Sequence, residues 1–94
     1  MEDSKFAIGQ KVYWAYQNKS EVESKLYQQV KSGIIKEMFR TVYKNGDYEY
    51  EYTILDDFGN YVDNIKEDIV ALNQEDALSK FDNEVHNWLN DKVL

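Results

Sequence analysis

The chain has 94 residues, of which 43% are hydrophobic and 15% aromatic, enough apolar material for one small core without a metal or disulfide staple. The absence of cysteine excludes disulfides, thiolate nucleophiles and cysteine-based zinc or iron–sulfur sites, and it fits a cytoplasmic protein. The net charge of −7 disfavours nucleic acid as a partner, and the sequence shows no targeting signal or membrane-spanning segment. We therefore expect a single soluble domain over residues 1–94 that needs no cofactor.

The charge is unevenly distributed along the chain. Residues 1–44 carry five acidic and eight basic side chains, residues 45–72 carry eight acidic and one basic, and residues 73–94 carry five acidic and two basic. The simplest explanation is that neighbouring strands of opposite charge pair with each other. The alternative is an acidic face that meets a basic partner.

The N-terminal half predicts two strands. The first covers Lys11 to Gln17, where an apolar and aromatic run with weak alternation fits a strand that is packed on both sides. The second covers Leu26 to Val30. The glycine in Lys31-Ser32-Gly33 then predicts a turn or bulge before Ile34-Ile35.

The dipeptide Asn45-Gly46 predicts a β-hairpin with a type I′ turn, because it tolerates positive φ at both central positions of that turn. With Lys44 opposite Asp47, the register pairs Tyr43 with Tyr48, Thr41 with Tyr50, Phe39 with Tyr52 and Arg40 with Glu51. One face of the hairpin is expected to be buried and carries Ile35, Phe39, Tyr43, Tyr48, Tyr50, Tyr52 and Ile54. The other face is expected to be solvated and carries Lys36, Arg40, Glu49 and Glu51.

The remaining residues predict a turn, short strands and a C-terminal helix. Asp56 to Asn60 has the composition of a turn, and Tyr61–Asp63 and Ile65–Leu72 supply one or two further strands. From Asn73, a suitable N-cap, the apolar period becomes helical, and one face carries Ala77, Leu78, Phe81, Val85, Trp88 and Leu89. The expected fold is mainly β with a C-terminal helix (α+β), a small, partly open antiparallel barrel of about five strands capped by one amphipathic helix. The barrel would cover residues 6–72 and the helix residues 74–91.

The opening of the chain resembles a known family. Phe6 to Trp14, followed by Val30 to Ile35, is similar to the glycine- and valine-punctuated start of SH3-like small barrels of the Tudor and KOW type. Glu67 to Leu78 is similar to the last strand and appended helix of many small bacterial and phage proteins. The resemblance implies a binding role, because such barrels bind peptides, proteins or nucleic acids and are seldom enzymes. It also implies an aromatic cage for methylated lysine formed by Tyr13, Trp14 and Tyr16. The alternative is that the same three rings pack in the core.

No arrangement of residues indicates catalysis. His86, the single histidine, has only Asp82 as a co-ligand one helical turn away, which is too little for a metal site, so we expect it at the surface. Four oxygen-bearing residues crowd one turn: Asp56, Asp57, Asn60 and Asp63. Their spacing lacks the alternation and the closing glutamate of a calcium-binding EF-hand loop, so a solvated turn is the simpler interpretation. The serines lack a nucleophile motif, and the sequence predicts a protein that is not an enzyme.

Two binding functions remain. The first is an interaction protein whose acidic, tyrosine-rich surface binds a basic partner protein, and in a narrower version it is a phage or mobile-element accessory protein that inhibits a host nucleic-acid-binding defence enzyme. This predicted acidic surface comprises Glu49, Glu51, Asp56, Asp57, Tyr61, Asp63, Glu67 and Asp68. The alternative is a nucleic-acid-binding barrel in which Tyr13 or Trp14 stacks on bases and phosphates contact Lys11, Lys25, Lys31, Lys36 and Arg40. A homodimer through an edge strand or the helix face is left open.

Overall fold

The computed structural model describes residues 4–17, 20, 22 and 30–93, without the side chains of residues 88 and 91–93. The elements in chain order are β1 (Lys11–Trp14), β2 (Lys31–Val42), β3 (Tyr48–Asp56), β4 (Tyr61–Lys66), a short 3-10 turn (Glu67–Ile69) and helix α1 (Gln74–Val93). The fold is therefore mainly β with a C-terminal helix, as predicted.

The sheet of the described residues has four strands, whereas the sequence predicts about five. The strand predicted at Leu26 to Val30 lies outside the described residues, except for Val30, which precedes β2. The strand predicted at Ile65–Leu72 is divided: its start belongs to β4, its middle is the 3-10 turn, and Ala71 forms an isolated bridge.

The four strands form one antiparallel sheet in the order β1-β2-β3-β4, and the sheet curls into a half-barrel. The free edge of β1 is met by the segment that precedes α1. There the Tyr13 amide donates to the Ala71 carbonyl at 2.9 Å, and the Ala71 amide donates to the Tyr13 carbonyl at 2.8 Å. This pair of hydrogen bonds brings the start of α1 against β1.

The predicted hairpin forms between β2 and β3, but its register differs from the prediction by one residue. Met38 pairs with Tyr52, Phe39 with Glu51, Arg40 with Tyr50, Thr41 with Glu49 and Val42 with Tyr48. The loop explains the difference: the Gly46 amide donates to the Tyr43 carbonyl at 3.0 Å, and the Tyr43 amide donates to the Asp47 carbonyl at 2.7 Å. Of Asn45 and Gly46, only the glycine has a positive φ, of 93°. The loop is therefore a three-residue connection with a bulged glycine and not a type I′ turn, and the slip moves Phe39 to the face opposite Tyr52.

Two features of β2 allow it to follow the curled sheet. A bulge between Ile35 and Glu37 keeps Ile35 in the core while Phe39 faces outward. Gly33 lies within the continuous strand and pairs regularly, so the turn or bulge predicted at Lys31-Ser32-Gly33 is wrong, and the bulge comes after Ile35 instead. A Cβ atom at Gly33 would lie 2.7 Å from Ile54 Cγ2 and 2.9 Å from the Asp56 Cα, and nearer still to the Leu55 carbonyl oxygen. Glycine is required there because β3 approaches so closely.

The core lies between the concave face of the sheet and α1. Its fully buried members include Val12, Trp14, Ile35, Tyr52, Ile54, Ile65 and Val70, with Phe81 from α1 nearly so. Asn73 caps α1 as predicted: its Oδ1 accepts a hydrogen bond from the Asp76 amide at 2.8 Å, and its Nδ2 donates to the Asp76 carboxylate at 3.1 Å. The cap fixes the point at which the chain leaves the sheet and turns into the helix.

The apolar face of α1 is only partly covered. Ala77 is buried, and the Phe81 ring lies 5.8 Å from the Tyr16 ring, centroid to centroid. Leu78 and Leu89 remain 36% and 37% exposed, and the side chain of Trp88 lies outside the described residues. No helix in the described part of the chain is long and apolar enough to cross a membrane.

Candidate interaction surface

The sheet face opposite the core carries acidic and aromatic side chains at its hairpin end. We call it the hairpin outer face, and it comprises Glu37, Phe39, Thr41, Tyr43, Glu49 and Glu51. Phe39 pairs directly with Glu51, and the Phe39 and Tyr43 side chains are 50% and 46% exposed. Because paired residues on adjacent strands point to the same side of a sheet, aromatic rings and carboxylates lie next to each other on one exposed surface.

Glu49 connects three segments at this face. Its Oε2 accepts a hydrogen bond from the Tyr43 hydroxyl at 2.8 Å and lies 3.7 Å from Lys66 Nζ on β4. The hydrogen bond that the Tyr43 hydroxyl donates to Glu49 is the main reason that the pKa of Tyr43 is raised, with smaller contributions from burial and from the charges of Glu49 and Glu51. The two side chains of the Lys66–Glu49 pair are 52% and 44% exposed, so solvent screens their attraction. The ion pair is therefore weak.

An open cleft of about 550 Å³ adjoins the hairpin outer face and reaches the 3-10 turn. It brings together three residues of the predicted acidic surface, Glu49, Glu67 and Asp68. Glu67 has a structural role, because its Oε2 accepts hydrogen bonds from the buried Tyr52 hydroxyl at 2.6 Å and from the Lys5 amide at 2.8 Å. Burial first, and then the hydrogen bond and charge of Glu67, raise the pKa of Tyr52.

Three other residues of the predicted acidic surface lie at the opposite end of β3, around the turn to β4. Asp56 Oδ1 accepts hydrogen bonds from two backbone amides of that turn, at 2.8 and 2.9 Å. Asp57 lies 3.8 Å from Lys11 Nζ, and Tyr61 is 65% exposed. Asp63 lies between the two ends and accepts a hydrogen bond from the Thr53 hydroxyl at 3.0 Å.

The predicted acidic surface is thus divided between two ends of β3. The hairpin end holds Glu49, Glu51, Glu67 and Asp68, and the turn end holds Asp56, Asp57 and Tyr61. Sequence reasoning missed Glu37 and placed Phe39 and Tyr43 in the core, although both are half exposed. The one signal that could have placed them outside is that Asn-Gly also serves in three-residue loops, where only the glycine needs a positive φ.

Two of the three aromatic rings of the other predicted binding sites are buried, whereas Tyr13 is half-buried, with Lys11 Nζ 5.9 Å from its ring centre. Trp14 is fully buried and Tyr16 is 7% exposed, so the two rings pack in the core and form neither a methyl-lysine cage nor a base-stacking platform. The Arg40 guanidinium lies 5.0 Å from the centre of the Tyr48 ring, and Lys11 pairs with Asp57. Lys25 lies outside the described residues.

The described residues contain no group of three or more His, Cys, Asp or Glu side chains that could hold a metal ion. His86 is exposed on α1, as expected, and Asp56 uses its carboxylate to hold its own turn. In comparisons with known proteins, no family model, no curated protein and no solved structure matched the chain.

Proposed function

We propose that this chain is a non-catalytic interaction domain whose hairpin outer face binds a basic surface of a partner protein. The observation that carries the proposal is the β2–β3 register, which sets the half-exposed Phe39 and Tyr43 beside Glu49 and Glu51. Exposed aromatic rings supply contact area at a low entropic cost, and neighbouring carboxylates select a positively charged partner.

The electrostatics of the face support a basic partner. Glu37, Glu49 and Glu51 project from adjacent strands on the same side of the sheet. The Lys66–Glu49 contact is long and half exposed, so a lysine or arginine of a partner can replace Lys66 at a small energetic cost. The net charge of −7 also accelerates the approach of a basic protein at low ionic strength.

A narrower form of the proposal concerns the biological setting. Glu49 and Glu51 occupy alternate positions of one strand, so their side chains are spaced by about 7 Å, which is of the same order as successive phosphates of a nucleic-acid strand. In this form the chain is a cytoplasmic phage or mobile-element accessory protein that inhibits a nucleic-acid-binding defence enzyme of the host. The curled antiparallel sheet also supports an SH3-like barrel as the fold to which this half-barrel is related.

The test is affinity capture with the immobilised chain from cells of the organism that encodes it. We expect a basic protein to be retained at about 50 mM NaCl and released at about 300 mM, where the Debye length is much shorter. The variant Glu37→Gln/Glu51→Gln removes two charges from the hairpin outer face and should lose the protein at low salt. The matched control, Asp82→Asn/Glu84→Gln, removes two charges from exposed positions of α1 and should retain it.

Two results would contradict the proposal. The first is a partner that binds equally well at both salt concentrations and to both variants. The second is a shift of labelled single- or double-stranded DNA or RNA by micromolar protein in a low-salt gel, which would favour the nucleic-acid alternative. Light scattering of the purified chain determines whether it forms a homodimer.

A further inference from the structure

One large apolar side chain is displayed at the end of the sheet, away from the core. Phe58 lies at the tip of the β3–β4 turn, and its side chain is 90% exposed, more than any other large hydrophobic residue described. Burying a phenylalanine contributes about 1.5–3 kcal/mol to folding, and Phe58 contributes almost none of this to the chain itself. The ring therefore has no packing role in the fold.

The turn that carries Phe58 is held in one shape by its own hydrogen bonds. Asp56 Oδ1 accepts from the Phe58 amide at 2.9 Å and from the Asn60 amide at 2.8 Å, and the Asp56 amide donates to the Asn60 carbonyl at 2.8 Å. The Asp57 amide donates to the Ser32 carbonyl at 3.1 Å, which fastens the turn to β2. An aromatic ring on a fixed turn loses little conformational entropy when a partner covers it.

The surroundings of Phe58 select the kind of surface that can cover it. Asp56 and Asp57 directly precede Phe58 in the sequence. In the sheet next to the turn, Leu55 of β3 pairs with Tyr61 of β4, which is 65% exposed. Carboxylates beside an apolar ring are repelled by anionic lipid headgroups and by a second copy of a chain with a net charge of −7. Asp57, whose 3.8 Å contact with Lys11 is half exposed and therefore weak, attracts a lysine or arginine at the rim of an apolar pocket.

We propose that Phe58 is an apolar anchor of the interaction, and that it enters a pocket of the partner protein that is lined by apolar residues and rimmed by basic ones. This inference rests on the proposed function, because it names a contact at which the same partner is held. The hairpin outer face and the turn that carries Phe58 lie at opposite ends of β3. The nine residues of this strand span about 30 Å, which is about the width of a protein–protein interface of ordinary size.

The experiment is photo-cross-linking in cells of the organism that encodes the chain. A photoreactive phenylalanine analogue, p-benzoylphenylalanine, replaces Phe58 in one version of the full chain, Phe39 in a second and the exposed helix residue Ser79 in a third. We expect position 58 to cross-link one protein, at apolar residues flanked by lysine or arginine, and position 79 to cross-link none. With that protein purified, Phe58→Ala should raise the Kd about 30-fold, the effect of losing an interface hot spot, while Ile8→Ala, which truncates another exposed apolar side chain, should leave it unchanged.

The outcomes separate the anchor from the proposed function. Position 39 could cross-link a basic protein while position 58 cross-links only lipid, only another copy of the chain, or nothing at all. In that case the assignment of Phe58 as an anchor is wrong and the proposed function stands. If neither position captures a basic protein, both are wrong. A Kd for Phe58→Ala within about threefold of the wild-type value would also overturn the anchor. Urea unfolding of the variant should match that of the wild type, because the ring is exposed.

Discussion

Replacing Tyr52 by phenylalanine removes a single hydroxyl from the centre of the fold and leaves the ring in place. The Tyr52 side chain is fully buried, and its ring packs edge-on against Phe6, with 6.0 Å between the ring centroids. Its hydroxyl donates to Glu67 Oε2 at 2.6 Å, so it links the middle of the sheet to the 3-10 turn. Phenylalanine keeps the ring contact and loses the link to Glu67, together with the hydroxyl's hydrogen bonds to Ser4 and to the backbone of Phe6.

The expected loss follows from the charge of the acceptor. A hydrogen bond to a charged group contributes about 1.5–3 kcal/mol, and Glu67 would keep only the Lys5 amide as a donor to the same oxygen. We expect Tyr52→Phe to lower the free energy of unfolding by about 2 kcal/mol, which for a domain of this size corresponds to a melting temperature lower by about 8–16 °C.

Urea unfolding followed by tryptophan fluorescence, to which the buried Trp14 contributes, measures this loss. Tyr61→Phe is the matched control, because it removes the same hydroxyl from a side chain that is 65% exposed and should change stability by less than about 0.5 kcal/mol. Equal stabilities of Tyr52→Phe and Tyr61→Phe would refute the role of the hydroxyl. A double-mutant cycle with Glu67→Gln then assigns the energy to the pair.

Three further predictions concern packing and pH. Gly33→Ala should destabilise the fold by about 1–3 kcal/mol, because the new Cβ meets the backbone of β3, and an unchanged urea midpoint would show that the strands are not so close. Phe81→Ala should lose about 3–5 kcal/mol in the same assay, whereas the partly exposed Leu89→Ala should lose much less, and equal losses would contradict the described docking of α1. Burial, followed by the charges of Glu84 and Asp68, raises the pKa of Tyr16 from 10.0 to about 12, so the folded state holds this proton more tightly than the unfolded state. The contribution of Tyr16 to stability should therefore be complete below pH 10 and be lost between pH 10 and about 12, by up to about 1.4 kcal/mol per pH unit, in addition to the loss from Tyr52. Tyr16→Phe should accordingly reduce, but not abolish, the slope of the urea midpoint against pH.

The sequence was sufficient to predict elements that depend on local chemistry. Asn73 begins the helix because its side chain caps the first turn, and Ala77 and Phe81 follow at the helical period on the buried side. The hairpin was predicted because Asn45-Gly46 favours a reversal of the chain. In each case neighbouring residues decide the outcome, and these are visible in the sequence.

The faces of the strands could not be predicted in the same way. The choice between a two-residue and a three-residue loop at Gly46 shifts the whole register, and neighbouring residues do not decide it. The bulge after Ile35 arises from the curl of the sheet and has no marker in the sequence. The loop register places Phe39 on the face opposite Tyr52, and the bulge places it on the face opposite Ile35. For this reason the candidate surface contains aromatic residues that the sequence assigned to the core.

The bridge between Tyr13 and Ala71 has a consequence for the order in which the chain folds. It joins two residues that are far apart in the sequence, and its formation closes a loop that contains the whole hairpin. Contacts between nearby residues form sooner than such distant ones, so the hairpin should be structured in the folding transition state and the bridge should not. Substitutions next to Ala71 would then act mainly by accelerating unfolding, and they would leave the folding rate almost unchanged.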